Sequence, residues 1–529
     1  MNSLRHIAIV GCGFTGTSLF HQLVDRYPLQ KLTIFEATGD FGPGYAYRTT
    51  ECPDYLINNT TDTMCLTPAS RRAFLDWLEE QPLGDEPIEP TGHLPRTLYG
   101  RFLQASFEAT QTAAANKGIE TVPVAREVTG LSPLDDGRIR LHWCDGETTA
   151  DAVVLTTGRC PDYDRYPGPP ANAEARYFST QVMTPELDSV PADGTVHVLG
   201  ASLSAYDVIN RLFSEETGCR FARDTTGKLT FDPGENERRV VLCSRSGRLK
   251  AMQSRHPRPL SRTLLTEQHL RDSRAANELT LQDLRELIDD EAANHGVSID
   301  WKTILEPYAG CGSVAAVTHR AAELLYESIR GATTVPAENF LVDLFADAQI
   351  ELWDAFAARL LSHEDEQRYR QAVETAALAY AAPCPVPTGE RLLALMEAGR
   401  LSIVKGVRGV TQRSDASGYD IEHDFGKEAA SILIDATGST HRDVRHPKQS
   451  PLVRGLVEQG ALRGYERGGA MPGADVDMQS FGLPGLANVY LANMFLWGPG
   501  LMTSSAFIMA TVAERIVDGL LERARHTSI

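Results

Sequence analysis

The stretch HIAIVGCGFTGTSLF, residues 6–20, decides the fold of the first part of the chain. Its first five residues are mostly apolar, as in a buried β-strand, and the residues after Gly16 have the apolar spacing of a helix. Gly11, Gly13 and Gly16 stand between them in the pattern G-x-G-x-x-G. A second apolar run, KLTIFE at residues 31–36, follows the helix. This order predicts the βαβ unit of a parallel sheet that binds a dinucleotide.

Each glycine of this pattern meets a separate steric requirement. Gly11 permits a tight turn, Gly13 lets the backbone approach a pyrophosphate, and Gly16 lets the helix pack closely on the strand. The unpaired N–H groups and the dipole at the helix N-terminus favour the phosphate, and the carboxylate of Glu36 suits ribose hydroxyls. The predicted contacts are Gly11, Gly13, Phe14, Thr15, Gly16 and Glu36. The alternative is a glycine-rich turn with a structural role alone.

A second βα unit begins with TVHVLGASLSAYD at residues 195–207. Gly200 holds the first glycine position, Ser202 replaces the second glycine, and Ala205 holds the third position, where alanine is tolerated. The Ser202 side chain should crowd a pyrophosphate, although its hydroxyl could donate to a phosphate. The alternative is a degenerate unit that keeps the fold without the cofactor.

The next predicted strand of this unit, RRVVLCS at residues 238–244, is followed by arginines rather than by an acid. Ser244, Arg245 and Arg248 stand where Glu36 stands in the first unit. Because a guanidinium pairs well with a phosphate, this segment suits the 2′-phosphate of NADPH. NADPH is therefore favoured over NADH as the ligand of the second unit.

The bulk composition limits the other classes of function. The chain has 529 residues, which predicts two or more domains, and its formal net charge of -19 disfavours nucleic acid and anionic membranes as partners. Its nine cysteines are scattered and none are spaced C-x-x-C, so we expect no disulfide framework, no metal site and no dithiol redox centre. The N-terminus lacks the pattern of a signal peptide, and a cytoplasmic location is expected.

Longer motifs resemble those of a known family. The run GPGYAYRT…DYLINNTTDTM, residues 42–64, resembles a G-x-G-x-A-Y…L-x-N…M segment of bacterial FAD/NAD(P)-binding proteins. That family is similar to class B flavin monooxygenases and to amino-acid N-hydroxylating enzymes. VVLTTG and LIDATG, which end at Gly158 and Gly438, are similar to its paired strand-end motifs. GASLSAYDVINRL is similar to its second nucleotide motif, from which Ser202 departs.

The resemblance implies an α/β fold with two dinucleotide-binding, Rossmann-like domains and an additional helical subdomain. Both chain ends would form the FAD domain, and the NADPH domain would be inserted between them. The implied divisions are 1–165 for the first part of the FAD domain, 166–260 for the first part of the NADPH domain, 261–398 for the helical insertion, 399–438 for the NADPH-domain return strands, and 439–529 for the C-terminal part of the FAD domain. A Pro- and Tyr-rich connector at residues 160–170 is the predicted hinge.

The resemblance also implies roles for individual residues. Thr60 and Met64 would lie near the isoalloxazine of FAD, with Asn58 and Asn59 as hydrogen-bond donors beside the reacting atoms. The residues that would face NADPH are Gly200, Ser202, Ser204, Ser244 and Arg245.

Few charged or titratable residues are candidates for contact with the substrate or for a catalytic base. For an amino-acid substrate, Arg48 and Arg442 are the candidate partners of a carboxylate. No catalytic base stands out, because His256 and His441 are typical loop histidines.

The activity that the resemblance implies is that of an FAD-dependent, NADPH-using monooxygenase. It would N-hydroxylate a small amine or amino acid through a C4a-hydroperoxyflavin, with dioxygen as co-substrate. Members of the family include enzymes that N-hydroxylate aspartate and oxidise it onward to nitrosuccinate, so an aspartate-like substrate is one candidate. Two other functions stay open: a flavin oxidoreductase that inserts no oxygen, and a non-enzymatic FAD-binding interaction protein. The helical insertion is large enough to form a homodimer contact.

The stretch LANMFLWGPGLMTSSAFIMATVA, residues 491–513, contains no charged residue. A membrane anchor, a core helix and a flavin contact are the three interpretations, and the Gly-Pro-Gly turn at residues 498–500 argues against a spanning helix. The turn predicts a strand that ends near Asn493 and a helix that begins around Met502, capped by Thr503, Ser504 and Ser505. The flavin contact is favoured, with the helix N-terminus directed at the isoalloxazine N1–C2=O edge. Its predicted contacts are Gly498, Gly500, Leu501 and Met502.

Overall fold

The computed structural model describes residues 4–82, 88–158, 160, 166, 168, 175–179, 185–255, 260–276, 279–415, 417–438 and 441–527. In chain order its strands are β1 (His6–Val10), β2 (Lys31–Phe35), β3 (Glu120–Val124), β4 (Val128–Pro133), β5 (Ile139–Trp143), β6 (Gly146–Ala150), β7 (Ala152–Leu155), β8 (Arg176–Phe178), β9 (Thr195–Leu199), β10 (Arg220–Arg223), β11 (Leu229–Asp232), β12 (Arg239–Cys243), β13 (Leu401–Val404), β14 (Gly409–Gln412), β15 (Tyr419–His423), β16 (Gly426–Ala430), β17 (Ile432–Asp435), β18 (Arg463–Glu466), β19 (Ala470–Asp475), β20 (Gly482–Leu483) and β21 (Leu486–Leu491).

The α-helices, in chain order, are α1 (Phe14–Arg26), α2 (Ala73–Glu79), α3 (Arg96–Asn116), α4 (Leu203–Leu212), α5 (Glu267–Ala276), α6 (Leu281–Asn294), α7 (Trp301–Leu305), α8 (Val314–Thr333), α9 (Phe340–Asp347), α10 (Gln349–Ala357), α11 (His363–Arg368), α12 (Glu374–Ala381), α13 (Val386–Glu397), α14 (Pro451–Glu458) and α15 (Ala506–Thr527). A π-helical segment, Tyr369–Val373, joins α11 to α12.

The first sheet is built from both ends of the chain. Its strand order is β20-β21-β7-β1-β2-β3, and the strands from β21 to β3 are parallel. The C-terminal strand β21 pairs with β7, so that Leu491 lies opposite Leu155. Helix α1 packs between α3 and α15. This sheet confirms the prediction that the βαβ start belongs to a parallel sheet completed by the C-terminal part of the chain.

The second sheet repeats the plan of the first. Its order is β13-β12-β9-β17-β8, and all five strands are parallel. In each unit a three-stranded antiparallel sheet precedes the strand that returns beside the glycine-loop strand. These small sheets are β4-β5-β6 before β7 and β14-β15-β16 before β17. The α/β class with two Rossmann-like units is therefore confirmed.

The helical insertion, α5 to α13, lies between β12 and β13 and divides its contacts between the two units. Helices α8 and α13 pack on the second sheet and share its buried core through Val317 and Leu392. Helices α9 and α10 share the core of the first sheet through Leu344 and Trp353. The predicted helical subdomain is confirmed, and it touches both halves of the molecule.

The C-terminal stretch differs from the prediction in one detail. Strand β21 ends at Leu491 and a 3₁₀-helix spans Met494–Trp497, but α15 begins only at Ala506, four residues after Met502. Ser505 accepts from the backbone N–H of Ile508 at 3.4 Å, whereas the Thr503 hydroxyl turns to the sulfur of Met494. None of the helices in the described residues is both long and apolar enough to cross a membrane.

Candidate functional site

The glycine loop of the first unit leaves no room for side chains. The φ angle of Gly11 is +99°, and a Cβ there would lie 2.5 Å from the carbonyl oxygen of Thr156. A Cβ on Gly16 would lie 2.1 Å from the Gly11 oxygen. The Thr156 hydroxyl donates to that same oxygen at 2.5 Å. The glycine loop is therefore fixed against the end of β7.

The loop that follows β2 covers the glycine loop from the other side. A Cβ on Gly44, where φ is +58°, would lie 2.7 Å from the Cα of Gly13. The backbone N–H of Gly42 donates to the carbonyl of Cys12 at 2.8 Å. Burial raises the pKa of the Cys12 thiol to about 12, which fits the role of a small packing residue. The contact between Gly13 and Gly44 was not predicted, although GPG at residues 42–44 was its sequence signal.

The N-terminus of α1 has the features that a phosphate requires. Its N-cap is Gly13, which supplies no side-chain cap, and its first turn, which includes Phe14 and Thr15, contains no acidic residue. The Glu36 carboxylate lies beside the loop and accepts from the backbone N–H of Cys12 at 2.9 Å. The glycine loop at residues 11–16, called here the first cradle, has uncapped N–H groups and a neighbouring carboxylate. This arrangement fits the adenosine diphosphate part of FAD.

Arg48, the candidate carboxylate partner, lies within the loop at residues 42–64 and has contacts of its own. Its Nε is 2.9 Å from Glu51, and its guanidinium lies 4.5 Å from the ring centre of Tyr45. Burial raises the pKa of the Glu51 carboxyl. The charge of Arg48 is thus partly balanced inside its own loop, and its catalytic role stays a prediction.

The predicted flavin residues of the same loop are at least half-buried. Asn58 and Asn59 are half-buried, and Thr60 and Met64 are buried. Just beyond them Arg96, at the start of α3, forms an ion pair of 2.9 Å with Asp207 of α4. Both partners are largely shielded, with side-chain exposures of 14% and 10%. This ion pair, which was not predicted, connects the first unit to the second beside the loop.

The second glycine loop repeats the geometry of the first. The φ angle of Gly200 is +105°, and a Cβ there would lie 2.8 Å from the carbonyl oxygen of Ala436, which follows β17. Ser202 is the N-cap of α4, and its side chain makes no capping bond to the helix. Ser202 is exposed and Ser204 half-buried. The glycine loop at residues 200–205, called here the second cradle, is therefore uncapped at the N-terminus of α4, and contact of Ser202 with a phosphate stays a prediction.

Ser244 and Arg245 follow β12 at the carboxyl edge of the second sheet. The Ser244 hydroxyl accepts from the backbone N–H of Gly247 at 2.8 Å, so this side chain stabilises its own turn. Arg245 is exposed, and no carboxylate among the described residues forms an ion pair with it. Its guanidinium is thus available to a phosphate, as expected for a 2′-phosphate contact.

The two strand-end glycines occupy equivalent positions. Gly158 and Gly438 have φ angles of +70° and +66°, and a Cβ on either would meet no atom within 4 Å. The threonine before each is held by a different group: Asn493 donates to the hydroxyl of Thr157, and Asp435 accepts from that of Thr437. Both glycines therefore serve the backbone conformation at the edges where the cofactors are expected.

The Gly-Pro-Gly turn is held by Arg370, a residue of the helical insertion that was not predicted. One Nη2 atom donates to the carbonyls of Trp497, Gly498 and Gly500 at 3.0, 2.9 and 3.1 Å. The Arg370 side chain is only 11% exposed and pairs with Glu374 at 3.1 Å. The insertion thereby fixes the segment that was predicted to contact the flavin. A single sequence gives no signal for a contact between residues so far apart.

Packing accounts for both glycines of this turn. A Cβ on Gly498 would lie 2.5 Å from the carbonyl of Pro472, and one on Gly500 would lie 2.7 Å from the indole nitrogen of Trp353. Leu501 and Met502 are buried, and Met502 has a φ angle of +52°. This left-handed backbone at a bulky residue is strained, which is a recurrent feature of functional sites.

The remaining candidates differ in their surroundings. Arg442 lies 4.2 Å from the ring centre of Trp497, next to the turn. His441 stacks on His446 with ring centres 3.4 Å apart, and burial together with His446 lowers its pKa. His256 lies outside the described residues. The described residues contain no cluster that could hold a metal ion, and all nine cysteines are free thiols.

Residues 8–160 match a family model described as FAD-NAD(P)-binding. YdhS, an uncharacterised protein of Escherichia coli (strain K12), is 26% identical over 261 residues. That alignment covers 46% of this chain and 46% of YdhS, so it spans less than half of the relative.

Solved structures match over nearly the whole chain. The ornithine N-hydroxylase of Kutzneria sp. 744, solved with reduced FAD, NADP⁺ and L-ornithine, has a TM-score of 0.54 at 14% identity and covers 99% of this chain and 100% of its own. The L-lysine 6-monooxygenase of Pseudomonas syringae has a TM-score of 0.52 at 16% identity and covers 98% of this chain and 99% of its own. These comparisons show that residues 8–160 are similar to FAD-NAD(P)-binding domains, and that the chain has the fold of the two N-hydroxylating enzymes.

The tight contact of Gly16 gives a direct test of the first cradle. Gly16→Ala should reduce the flavin retained by the purified protein by about tenfold or more, because the new Cβ displaces the loop that must align with the pyrophosphate. Flavin absorbance relative to protein absorbance measures the effect. Gly455→Ala on α14 is the control, since a Cβ there meets no atom within 4 Å. Equal flavin content in the two variants would contradict the assignment.

Arg370 gives a second test. Arg370→Met removes the donor to three carbonyls and leaves Glu374 without its buried partner, so the free energy of unfolding should fall by about 3–5 kcal/mol. Urea denaturation followed by circular dichroism measures the change. Arg368→Met is the control, because that side chain is 70% exposed, and it should change stability by less than about 0.5 kcal/mol. An Arg370→Met variant as stable as the control would refute the role of this arginine.

Proposed function

We propose that this protein is an FAD-dependent, NADPH-using monooxygenase that hydroxylates the nitrogen of a small amine or amino acid. The observation that carries the proposal is the pair of matching cradles in one chain. Gly11 packs closely against the backbone of Thr156 after β7, and Gly200 packs in the same way against the backbone of Ala436 after β17. Two dinucleotides can therefore bind at the carboxyl edges of two sheets, as hydride transfer from one to the other requires.

The overall reaction balances with one molecule of each co-substrate. The amine, NADPH, a proton and dioxygen give the hydroxylamine, NADP⁺ and water, so that one oxygen atom is bonded to nitrogen and the other leaves as water. Bound FAD would supply the redox chemistry, by accepting a hydride from NADPH and activating dioxygen.

The chain's own residues would bind the cofactors, orient them and exclude water. The N-termini of α1 and α4, which have no side-chain cap, would bind the phosphates, and Glu36 would hold the ribose. Asn58 and Asn59 are half-buried amides that would donate hydrogen bonds at the reacting edge of the flavin. The turn held by Arg370 would close this edge with buried Leu501 and Met502, which limits the access of water.

A thiol-based electron transfer is a weaker alternative for this chain. All nine cysteines are free, and burial raises the pKa of the Cys12 thiol to about 12. A protonated thiol is a poor nucleophile, so Cys12 would not take part in thiol–disulfide chemistry.

The substrate class that we propose to test first is an acidic amino acid such as aspartate. A carboxylate needs a cationic partner near the flavin, and Arg442 lies against Trp497 beside the Gly-Pro-Gly turn. Arg48 is the second candidate, although Glu51 already pairs with it. Ornithine and lysine, the substrates named for the two similar structures, are the comparison amines.

The proposed function is tested by measuring how much product forms for each NADPH that is oxidised. The FAD-loaded protein is supplied with NADPH, air and aspartate, ornithine or lysine in turn, and NADPH loss, hydroxylated amine and hydrogen peroxide are measured together. One amine should accelerate NADPH oxidation and yield about one hydroxylamine per NADPH. Peroxide as the sole product with every amine, or equal turnover without oxygen, would exclude the monooxygenase.

Arg245 should determine the preference between the nicotinamide cofactors. Arg245→Gln should raise KM for NADPH by about tenfold or more, because a charge-assisted hydrogen bond of about 1.5–3 kcal/mol is lost, and should leave KM for NADH unchanged. Steady-state kinetics with both cofactors measure this. The control is Arg408→Gln, since Arg408 is also exposed but pairs with Asp424 at 3.0 Å. An equal rise in KM for both cofactors would contradict a 2′-phosphate contact.

A further inference from the structure

We propose that a cavity between the second unit and the helical insertion binds a small organic anion, a carboxylate or phosphate ester with an apolar body. The cavity, called here the Arg248–Lys250 cavity, has a volume of about 380 Å³. The residues that matter for its chemistry are Arg248, Lys250, Tyr308, Leu324, Leu325 and Tyr380. Its volume lies within the range of about 300–1,000 Å³ that is common for small-molecule sites.

Two cations face this cavity without an acidic partner. Arg248 donates through Nη2 to the carbonyl of Leu305 at 3.1 Å, and Lys250 donates through Nζ to the carbonyl of Leu378 at 2.6 Å. No carboxylate among the described residues forms an ion pair with either side chain. A guanidinium carries five N–H donors and an ammonium three, so each keeps donors for a ligand.

The environment of the two cations is poor in negative charge. Burial lowers the pKa of Lys250 to about 8, and the group that acts in the opposite direction is the thiol of Cys384. Burial also lowers the pKa of Arg248, and the hydroxyls of Tyr380 and Tyr308 are the groups that oppose it. Two partly buried cations whose described partners are neutral groups are unfavourable, and a bound anion would remove that imbalance.

The acidic residues that line the cavity are balanced by other arginines. Both oxygens of Glu338 lie 2.8 Å from Nη2 of Arg330. Glu327 has a side chain that is 54% exposed and lies 4.0 Å from Arg320. Neither carboxylate therefore neutralises Arg248 or Lys250.

The segment that carries the two cations is held in place on both sides. The backbone N–H of Lys250 donates to the hydroxyl of Tyr206 on α4 at 2.9 Å, and that of Met252 donates to the hydroxyl of Ser328 on α8 at 2.9 Å. Leu324 and Leu325 of α8 supply an apolar wall. A rigid segment with cations on one side and leucines on the other suits a ligand with an anionic head and an apolar body.

The cavity is separate from the second cradle. Gly200, Ser202 and Arg245 do not belong to its lining, although Tyr206 connects it to α4, the helix of that cradle. Arg248, which the sequence places with Arg245 in the segment that suits a 2′-phosphate, lines this cavity, whereas Arg245 does not. The proposed anion is a third ligand beside the two dinucleotides, and competition with NADP⁺ tests this assignment.

The test uses the full-length protein as purified, with succinate and inorganic phosphate as probes and isothermal titration calorimetry as the measurement. At least one probe should bind, and Arg248→Met or Lys250→Met should each weaken its binding by about tenfold or more. Arg408→Gln is the matched control that should keep the affinity within about twofold, because this exposed side chain pairs with Asp424 and does not line the cavity. The flavin absorbance of each variant is recorded separately, so a failure of the cofactor sites is distinguishable.

Three results would overturn the proposal. The first is that neither probe binds the unmodified protein. The second is displacement of the probe by NADP⁺ but not by NAD⁺, which would make the cavity the phosphate subsite of the cofactor. The third is unchanged binding in Lys250→Met with a lower melting temperature, which would give Lys250 a structural role alone. If Lys250→Met loses anion binding and its melting temperature is not lowered, the proposal is supported even if Arg248→Met fails to fold.

Discussion

The contact of the glycine loop with the end of β7 is the constraint on which the rest of the structure depends. A side chain at Gly11 or Gly16 would overlap a backbone carbonyl, at 2.5 Å from Thr156 and 2.1 Å from Gly11 respectively. This close packing directs the N-terminus of α1 towards the carboxyl edge of the first sheet, where its uncapped N–H groups can bind a phosphate. Gly200 and Ala436 set the same geometry in the second unit, so one steric rule places both cradles.

Two largely shielded arginines hold the parts of the molecule around these cradles. Arg96 connects the first unit to Asp207 on the helix of the second cradle. Arg370 connects the helical insertion to the turn that ends the C-terminal return of the first unit. Because each arginine is shielded and multiply bonded, removing it would leave a buried acidic partner or several carbonyls unpaired. The insertion thus contributes to the candidate site as well as to the core.

The sequence predicted what depends on local spacing. The βαβ start, the second βα unit, the helical insertion and the break at residues 498–500 all follow from periodicity, glycine positions and the chemistry of proline. The exact start of α15 did not, because among the described residues Ser505 alone accepts from its first turn, and Arg370 of the insertion holds the preceding turn through the carbonyls of Gly498 and Gly500. Arg370 and the Gly13–Gly44 contact also escaped prediction, since both join residues that are distant along the chain. The pairing of Arg48 with Glu51 is local, but one sequence does not show which of several nearby partners a flexible arginine selects.

Two cradles that bring NADPH and FAD together are central to the proposed function, and anaerobic reduction of the bound flavin tests them most directly. The purified protein should show a flavin spectrum that NADPH bleaches faster than NADH does, because Arg245, which forms no ion pair with a carboxylate of the described residues, would be a partner for the 2′-phosphate. Bound flavin that neither nicotinamide reduces would contradict the account, and would instead support an FAD-binding protein whose second unit keeps the fold without the cofactor.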